Sequence, residues 1–451
     1  MSPPRANGVR IALLALAGLS LLALLVAFFL LHQQWPPGWQ PVLGAAPRIG
    51  PVFHRWIPYP SLMLEPASFR RASVLLVVAM WAVYAAAVFW IGRLRDLHER
   101  KQALAVVSAL CLVMHVALVL LPPVLSTDLF FYALSGRMTL SGLNPYLAPL
   151  DTLAGDPLLP YASWQHLPSH YGPAFLWIAA AATKLGGGGP LGTALAFKTV
   201  TALFNLVACW AVLRLCRGQR DEDGLEPLAL YAWNPLVLVE SAGNAHSEAV
   251  MLSLALVGAL LVRRGRIGTG WAALVVSAAT KYLSGPLALL VAVRTVARAE
   301  RGRRLATAGK LAGIGGFVLV LLYLPFWRGP AVLKPALDIV FKGRALAGGV
   351  AAVPQDRPIA ALIVFAVLFA GAVVLAARSS RDLAFELSAA LATYFVLFVL
   401  WWRMPWYFVT GLTLALVATP TRTSRALRLV TLFVALLAMF LYGMLAPDPR
   451  V

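Results

Sequence analysis

Fourteen apolar runs, half of them long enough to cross a lipid bilayer, leave this chain few possible folds. They lie at 11–31, 73–92, 102–122, 173–185, 190–215, 228–242, 247–262, 268–280, 283–297, 311–326, 358–377, 383–402, 406–419 and 428–445. A helix needs about 20 apolar residues to cross the hydrocarbon core. In lipid every backbone N–H and C=O has to be satisfied within the protein, which favours helices. The chain therefore reads as an all-α polytopic membrane protein, one integral membrane domain over residues 1–451. Composition agrees: 60% of the 451 residues are hydrophobic and 12% charged, against about 25% charged in soluble domains. An ordinary soluble enzyme, a disordered chain and a disulfide-stapled secreted scaffold are excluded. The first run follows Arg5 and Arg10 and is longer than a signal-peptide core of about 7–15 residues. Gln33-Gln34-Trp35-Pro36-Pro37 follows it instead of a small-residue cleavage site. The expectation is a retained first helix with a cytoplasmic N-terminus.

The net charge of +20 comes from 38 Lys and Arg against 18 Asp and Glu. A balance this basic is a mark of nucleic-acid binding in soluble proteins. Here the charges fall in short clusters between apolar runs, such as Arg93 to Lys101, Arg263 to Arg266, Arg294 to Lys310 and Arg422 to Arg428. That is the positive-inside signature of cytoplasmic loops, and it argues against a nucleic-acid partner. Loops assigned to the cytoplasm on this basis collect 23 of the 38 basic residues. The longest polar stretches, expected as outer loops 33–72, 123–172 and 327–357, then face the other side. The polar constellations are then extracytoplasmic, and the expected location is the plasma (inner) membrane. The three cysteines, Cys111, Cys209 and Cys216, flank no outer loop, so no structural disulfide is expected.

Two places break the alternation of sides. The run 173–185 has 13 residues, too short to span unaided, and reads as re-entrant or interfacial. The pair 268–280 and 283–297 reads as a tight hairpin with Lys281 at its tip. Non-spanning backbone at membrane depth survives where protein or a water-filled cavity covers it. Both anomalies point to a cavity on the outer side.

The polar residues facing that cavity are the candidate site. Asp128 follows the third run, and Ser126 or Thr127 can cap a helix that starts there. On that helix Asp128 and Tyr132 are four residues apart and share a face, whereas Arg137 falls nearly opposite. Gly142-Leu143-Asn144-Pro145-Tyr146 comes next, and Asn144-Pro145 by itself is a turn signal. His170 and Tyr171 precede Pro173, which suits a first helical turn. Asn244, His246 and Glu248 lie between two apolar runs and offer hydrogen bonds to a hydroxylated ligand. Their spacing is not that of a helical metal pair, and nothing indicates a cofactor or a divalent cation. Lys281 stands within otherwise apolar sequence, where a charge marks function by default. Lys198 is a weaker case, and Glu386 suits the start of its helix. Arg403, in Trp401-Trp402-Arg403-Met404-Pro405-Trp406-Tyr407, could pair with a phosphate. Each has a bland counterpart: a capping Asp128, a polar turn at 243–248, a snorkelling Lys281, an aromatic belt at 401–407.

Read together, Ser126, Asp128, Tyr132, Gly136 and Arg137 followed by Gly142, Asn144, Pro145 and Tyr146 resemble a motif of the GT-C glycosyltransferases. Those enzymes use polyprenyl-phosphate sugars. The chain looks most like the polyprenol-phosphate-mannose-dependent α-1,6-mannosyltransferases of cell-envelope lipoglycan synthesis. Tyr171-Gly172-Pro173 and Gly243-Asn244-Ala245-His246-Ser247-Glu248 are similar to further stretches of that group, with Glu248 where Asp is usual. The resemblance implies a GT-C fold with about 11–14 transmembrane or re-entrant helices. It implies a polyprenyl-phosphate-linked mannosyl donor, a glycan or glycolipid acceptor and Asp128 as catalytic base. Tyr132, Arg137, Asn144, Tyr146, His170, Tyr171, Asn244, His246, Glu248, Lys281 and Arg403 would bind substrate, and membrane lipids would surround the chain. Polyprenyl phosphate would leave against Lys281 or Arg403 in an inverting displacement. Two other readings remain at this point. One is a transferase for another polyprenyl-phosphate sugar. The other is a transporter or flippase of lipid-linked sugars, a class that often carries internal repeats, of which the sequence shows none.

Overall fold

The structure is a computed structural model that describes residues 4–33, 46–56, 58, 64–217, 223–346, 357–400 and 403–444. Eighteen α-helices and no strand occur among the described residues. In chain order they are α1 Pro4–His32, α2 Ala46–His54, α3 Pro66–Ile91, α4 Leu97–Leu120, α5 Asp128–Leu140 and α6 Pro173–Leu185. Then come α7 Pro190–Cys216, α8 Leu225–Ala232, α9 Pro235–Leu238, α10 Glu248–Arg263, α11 Ile267–Ala278 and α12 Gly285–Arg298. The last are α13 Arg304–Tyr323, α14 Lys334–Leu346, α15 Arg357–Arg378, α16 Ala384–Tyr394, α17 Pro405–Val417 and α18 Arg422–Met444.

Seven of these are long and apolar enough to cross a membrane, an eighth if the bent pair Pro235–Gly243 and Glu248–Arg263 is one span. With the shorter apolar helices α6, α11, α16 and α17, this is the all-α polytopic architecture expected. Many apolar side chains on the outer faces stay exposed, for example Leu75, Phe317, Val367 and Phe433. Such faces suit hydrocarbon rather than water.

Local chemistry explains where helices start and stop. Asp96 caps α4 by accepting from the backbone N–H groups of His98 and Glu99. The apolar run 228–242 is not one helix. It ends at Trp233, and Asn234 caps the next piece through the N–H groups of Leu236 and Val237. Pro235 is the reason: it has no N–H to donate and disfavours a helical residue before it. The chain then passes through a π-helical turn at Val239–Gly243 and bends by 109° into α10. A second π-turn, Phe395–Val399, cuts short the run expected over 383–402.

The predicted hairpin is present. α11 and α12 are joined by a short connection carrying Lys281, and Ser277 and Ser284 share a hydrogen bond of 2.9 Å across it. α6 begins at Pro173, as expected, and packs against α5 and α7. Gly136 permits the contact with α5: a Cβ there would lie 2.7 Å from the Ala179 carbonyl. The expected outer loops contain more helix than anticipated, α2 and α14 among it; parts of 33–72 and 327–357 lie outside the described residues.

Candidate active site

Five helix starts converge on one site. Asp128 opens α5, Tyr171 stands two residues before Pro173 of α6, and Glu248 opens α10. Lys281 lies just ahead of α12, and Tyr407 is in the first turn of α17. Helix N-termini carry partial positive charge from unpaired N–H groups, so acidic groups and anionic ligands are favoured here.

Asp128 is the centre. Its side chain is 15% exposed, and Tyr132 and Tyr171 both donate to its Oδ2, at 3.4 and 3.5 Å. The two tyrosine hydroxyls are 3.3 Å apart and their rings meet edge to face. Burial raises the Asp128 carboxyl from its ordinary 3.8 to about 6; Lys281 opposes the rise and Glu248 adds to it. His246, fully buried, places Nδ1 3.8 Å from Asp128 Oδ2 and 3.5 Å from the Tyr132 hydroxyl. Its Nε2 lies 3.2 Å from Glu240 Oε2, and its ring stacks on Trp406 at 3.9 Å. The turn that delivers His246 is unusual: Ala245 has φ +62°, a left-handed conformation uncommon outside glycine. Such backbone persists where the surroundings over-determine it.

Lys281 forms the other pole. Its Nζ is 2.5 Å from Glu248 Oε1 and 3.4 Å from Ser247 Oγ. It also lies over the rings of Tyr407 and Tyr171, at 4.5 and 5.3 Å. Tyr171 thus touches Asp128 with its hydroxyl and Lys281 with its face. Gly172 locks this together. Its N–H donates to the Thr280 carbonyl at 3.1 Å, and a Cβ would come 2.0 Å from the Ala279 oxygen. No other residue lets the two strands of chain approach so closely.

A cavity of about 220 Å³ runs on from Lys281, lined by Tyr171, Tyr282, Leu283, Phe365, Phe395 and Tyr407 among others. A smaller cleft opens on Asp128 itself, between Trp164, Tyr171, Met404 and Trp406. His170, Tyr171 and Tyr407 border both. His170 Nδ1 is buried without a hydrogen-bond partner among the described residues. Burial, aided by Lys281, lowers the imidazole to about 3, so it is neutral near pH 7.

Of the residues named from sequence, Asp128, Tyr132, His170, Tyr171, His246, Glu248 and Lys281 come together. The others do not reach the cavity. Arg137, nine residues along α5, is roughly 13 Å further up the helix axis and pairs with Asp156 and the Gly188 carbonyl. Asn144 donates to the Phe326 carbonyl at 2.6 Å, and the Tyr146 hydroxyl donates to the Tyr171 carbonyl at 2.9 Å. These two brace the loop that carries the site. Asn244 is fully buried and accepts from the Val124 N–H at 3.1 Å. Arg403 is exposed and donates to the Leu397 carbonyl at 2.9 Å, and Trp401 and Trp402 lie outside the described residues. Lys198 is buried and donates to the Leu121 carbonyl, the free C-terminal end of α4. Sequence reasoning missed Glu240 and the ring positions of Trp406 and Tyr407. An acidic residue in an apolar run was the available signal for Glu240. Among the described residues no three His, Cys, Asp or Glu side chains gather as for a metal ion.

Helical spans around a half-buried carboxylate, with an apolar cavity leading from a paired lysine, define a multi-pass membrane protein with an enzyme-like site. Residues 22–298 match the family model described as alpha-(1->6)-mannopyranosyltransferase, N-terminal domain, and the chain belongs to that family. Alpha-(1->6)-mannopyranosyltransferase A of Corynebacterium glutamicum is 27% identical over 43% of this chain and 43% of its own length. Its counterpart of the same name in Mycobacterium tuberculosis is 28% identical over 54% of this chain and 48% of its own length. Alpha-(1->6)-mannopyranosyltransferase B of C. glutamicum is 32% identical over 34% of this chain and 26% of its own length. The chain thus spans less than half the length of these curated relatives. The family match includes Asp128 through Lys281 and stops before Trp406 and Tyr407.

Proposed function

We propose that the chain is a mannosyltransferase that moves a mannosyl residue from polyprenyl-phosphate-mannose to a glycan or glycolipid acceptor of the cell envelope. The site faces the extracytoplasmic side of the plasma membrane, opposite the basic loops. The observation that carries this reading is the juxtaposition of Asp128 and Lys281 across one ring, Tyr171. An acid–base group sits at one end and a cation that lines an apolar cavity at the other.

Asp128 accepts the proton of the acceptor hydroxyl. The hydroxyl oxygen bonds to C1 of the mannosyl group as the bond from C1 to the phosphate oxygen breaks. Polyprenyl phosphate leaves with the electron pair, and one displacement inverts the anomeric centre. A base that titrates at about 6 is ionised at neutral pH yet close to the working pH, which suits proton transfer. Lys281 has three N–H donors. Glu248 and Ser247 take two, which leaves one for a phosphate oxygen in a site sheltered from water. The apolar cavity takes the first isoprene units.

The test is transfer of labelled mannose from polyprenyl-phosphate-mannose to short α-mannosides by the purified chain. Label in the acceptor with an inverted anomeric centre supports the proposal. Label moved across a vesicle bilayer with none in the acceptor would instead support the flippase reading. Transfer only from another lipid-linked sugar would retain the mechanism and change the donor.

A further inference from the structure

At the far ends of α10 and α12 lies a second cavity, of about 450 Å³. α10, 16 residues long, opens with Glu248 beside Lys281 and closes at Arg263; α12 begins near Lys281 and reaches Arg298. At 1.5 Å per residue the two cavities are about 20 Å apart along the same two helices. The second one is at the end that carries the basic clusters.

Arg263, Arg294 and Arg298 line it, and Asp382 is the one carboxylate among the described lining residues. Asp382 bridges Arg263 at 3.4 Å and Arg294 at 3.3 Å. Most other partners are carbonyl oxygens. Arg294 donates to the carbonyls of Ser379, Ser380 and Arg381, Arg298 to that of Ser380, and Arg263 to that of Leu215. Carbonyls satisfy N–H groups but carry no net charge, so the cavity keeps an excess of two positive charges. The same bonds hold the guanidinium planes in place, which reduces the ordering an incoming anion would impose. Arg294 is buried at the base, and Arg298 is exposed at the mouth. The rest of the lining is largely apolar, with Val262, Ile267, Val291 and Phe385, and the Arg263 guanidinium lies over the Phe385 ring at 5.0 Å. The volume falls in the range of small-ligand sites, roughly 300–1,000 Å³.

We propose that this cavity binds a phosphate ester, with Arg298 and Arg263 on the phosphate oxygens and the apolar lining against the esterified group. Basic pockets between helices on the cytoplasmic side are the kind that take anionic lipid headgroups. A soluble phosphate ester presents the same chemistry. The site does not depend on mannosyl transfer.

The test uses the full chain in a zwitterionic detergent, with thermal unfolding and native mass spectrometry as readouts. The probes are dioctanoyl phosphatidylglycerol, dioctanoyl phosphatidylcholine and sn-glycerol 3-phosphate. Phosphatidylglycerol should raise Tm and remain bound, and phosphatidylcholine should not. Arg298→Glu should weaken phosphatidylglycerol at least tenfold. Arg328→Glu, the same charge change at an exposed position outside the cavity, should leave it unaltered. Arg298→Ala, which adds no repulsion, should weaken it by a smaller factor. Stabilisation by glycerol 3-phosphate as well identifies the phosphate itself as the ligand; stabilisation by the lipid alone identifies the headgroup with its chains. Equal binding of the two lipids, or equal loss in the Arg298 and Arg328 variants, overturns the proposal.

Discussion

Replacing Asp128 with asparagine should stabilise the fold while it cuts transfer by orders of magnitude, and the stabilisation should depend on pH. The carboxyl titrates at about 6 in the fold and at 3.8 when unperturbed. The folded state therefore holds the proton more tightly than the unfolded chain. Ionised Asp128 lowers stability by an amount that grows as pH rises from 3.8 towards 6 and is constant above. At 1.36 kcal/mol per pH unit of separation, the full effect is about 3 kcal/mol. At pH 4.5 it is about 1 kcal/mol, so the advantage of the variant should grow by about 2 kcal/mol between pH 4.5 and 7.5. Asparagine keeps an oxygen acceptor for Tyr132 and Tyr171, whose donors at 3.4 and 3.5 Å are otherwise stranded. Thermal unfolding of both proteins in one detergent at the two pH values measures the difference, and labelled transfer measures activity. A Tm advantage that is equal at both pH values, or larger at 4.5, would refute the reasoning about the buried carboxylate. In the wild type, transfer should fall as pH drops through about 6, and loss of a general base should cost about 10²–10⁴-fold in rate.

Three further outcomes follow from the packing. Lys281→Ala should destabilise by about 3–5 kcal/mol, because it leaves Glu248 buried and unpaired; Glu248→Gln added to it should recover much of the loss, which a double-variant cycle in thermal unfolding would show. Gly172→Ala should lower Tm and reduce transfer together, since the new Cβ meets the Ala279 backbone oxygen at 2.0 Å and backbone cannot yield as a side chain can. Arg137→Ala should destabilise by about 1–3 kcal/mol through its stranded partner Asp156 while the kcat of the folded fraction stays unchanged; a specific fall in kcat would return Arg137 to the site.

What the linear order of residues determined here is mostly what local physics determines. Lengths of apolar runs decided the spans, because lipid accepts only backbone that bonds to itself. The short run from Pro173 and the charge at Lys281 disclosed a half-length helix and a hairpin, both present as α6 and the α11–α12 pair. The four-residue spacing of Asp128 and Tyr132 placed them on one face, and their 3.4 Å contact follows from helix geometry alone. Residues within a motif, however, share a neighbourhood in sequence and not a task. Asn144, Tyr146 and Asn244 stand among candidate binding residues yet bond to Phe326, Tyr171 and Val124. The same hydrogen-bonding groups serve ligand or scaffold, and only the packing of distant elements decides which. Glu240 faces His246 because a π-turn and a 109° bend aim them together. Trp406 lies on His246 from 160 residues away. Such contacts depend on how ridges of side chains settle between helices far apart in sequence. For that reason the carboxylate was legible in the sequence, while the pocket around it was decided by the tertiary structure.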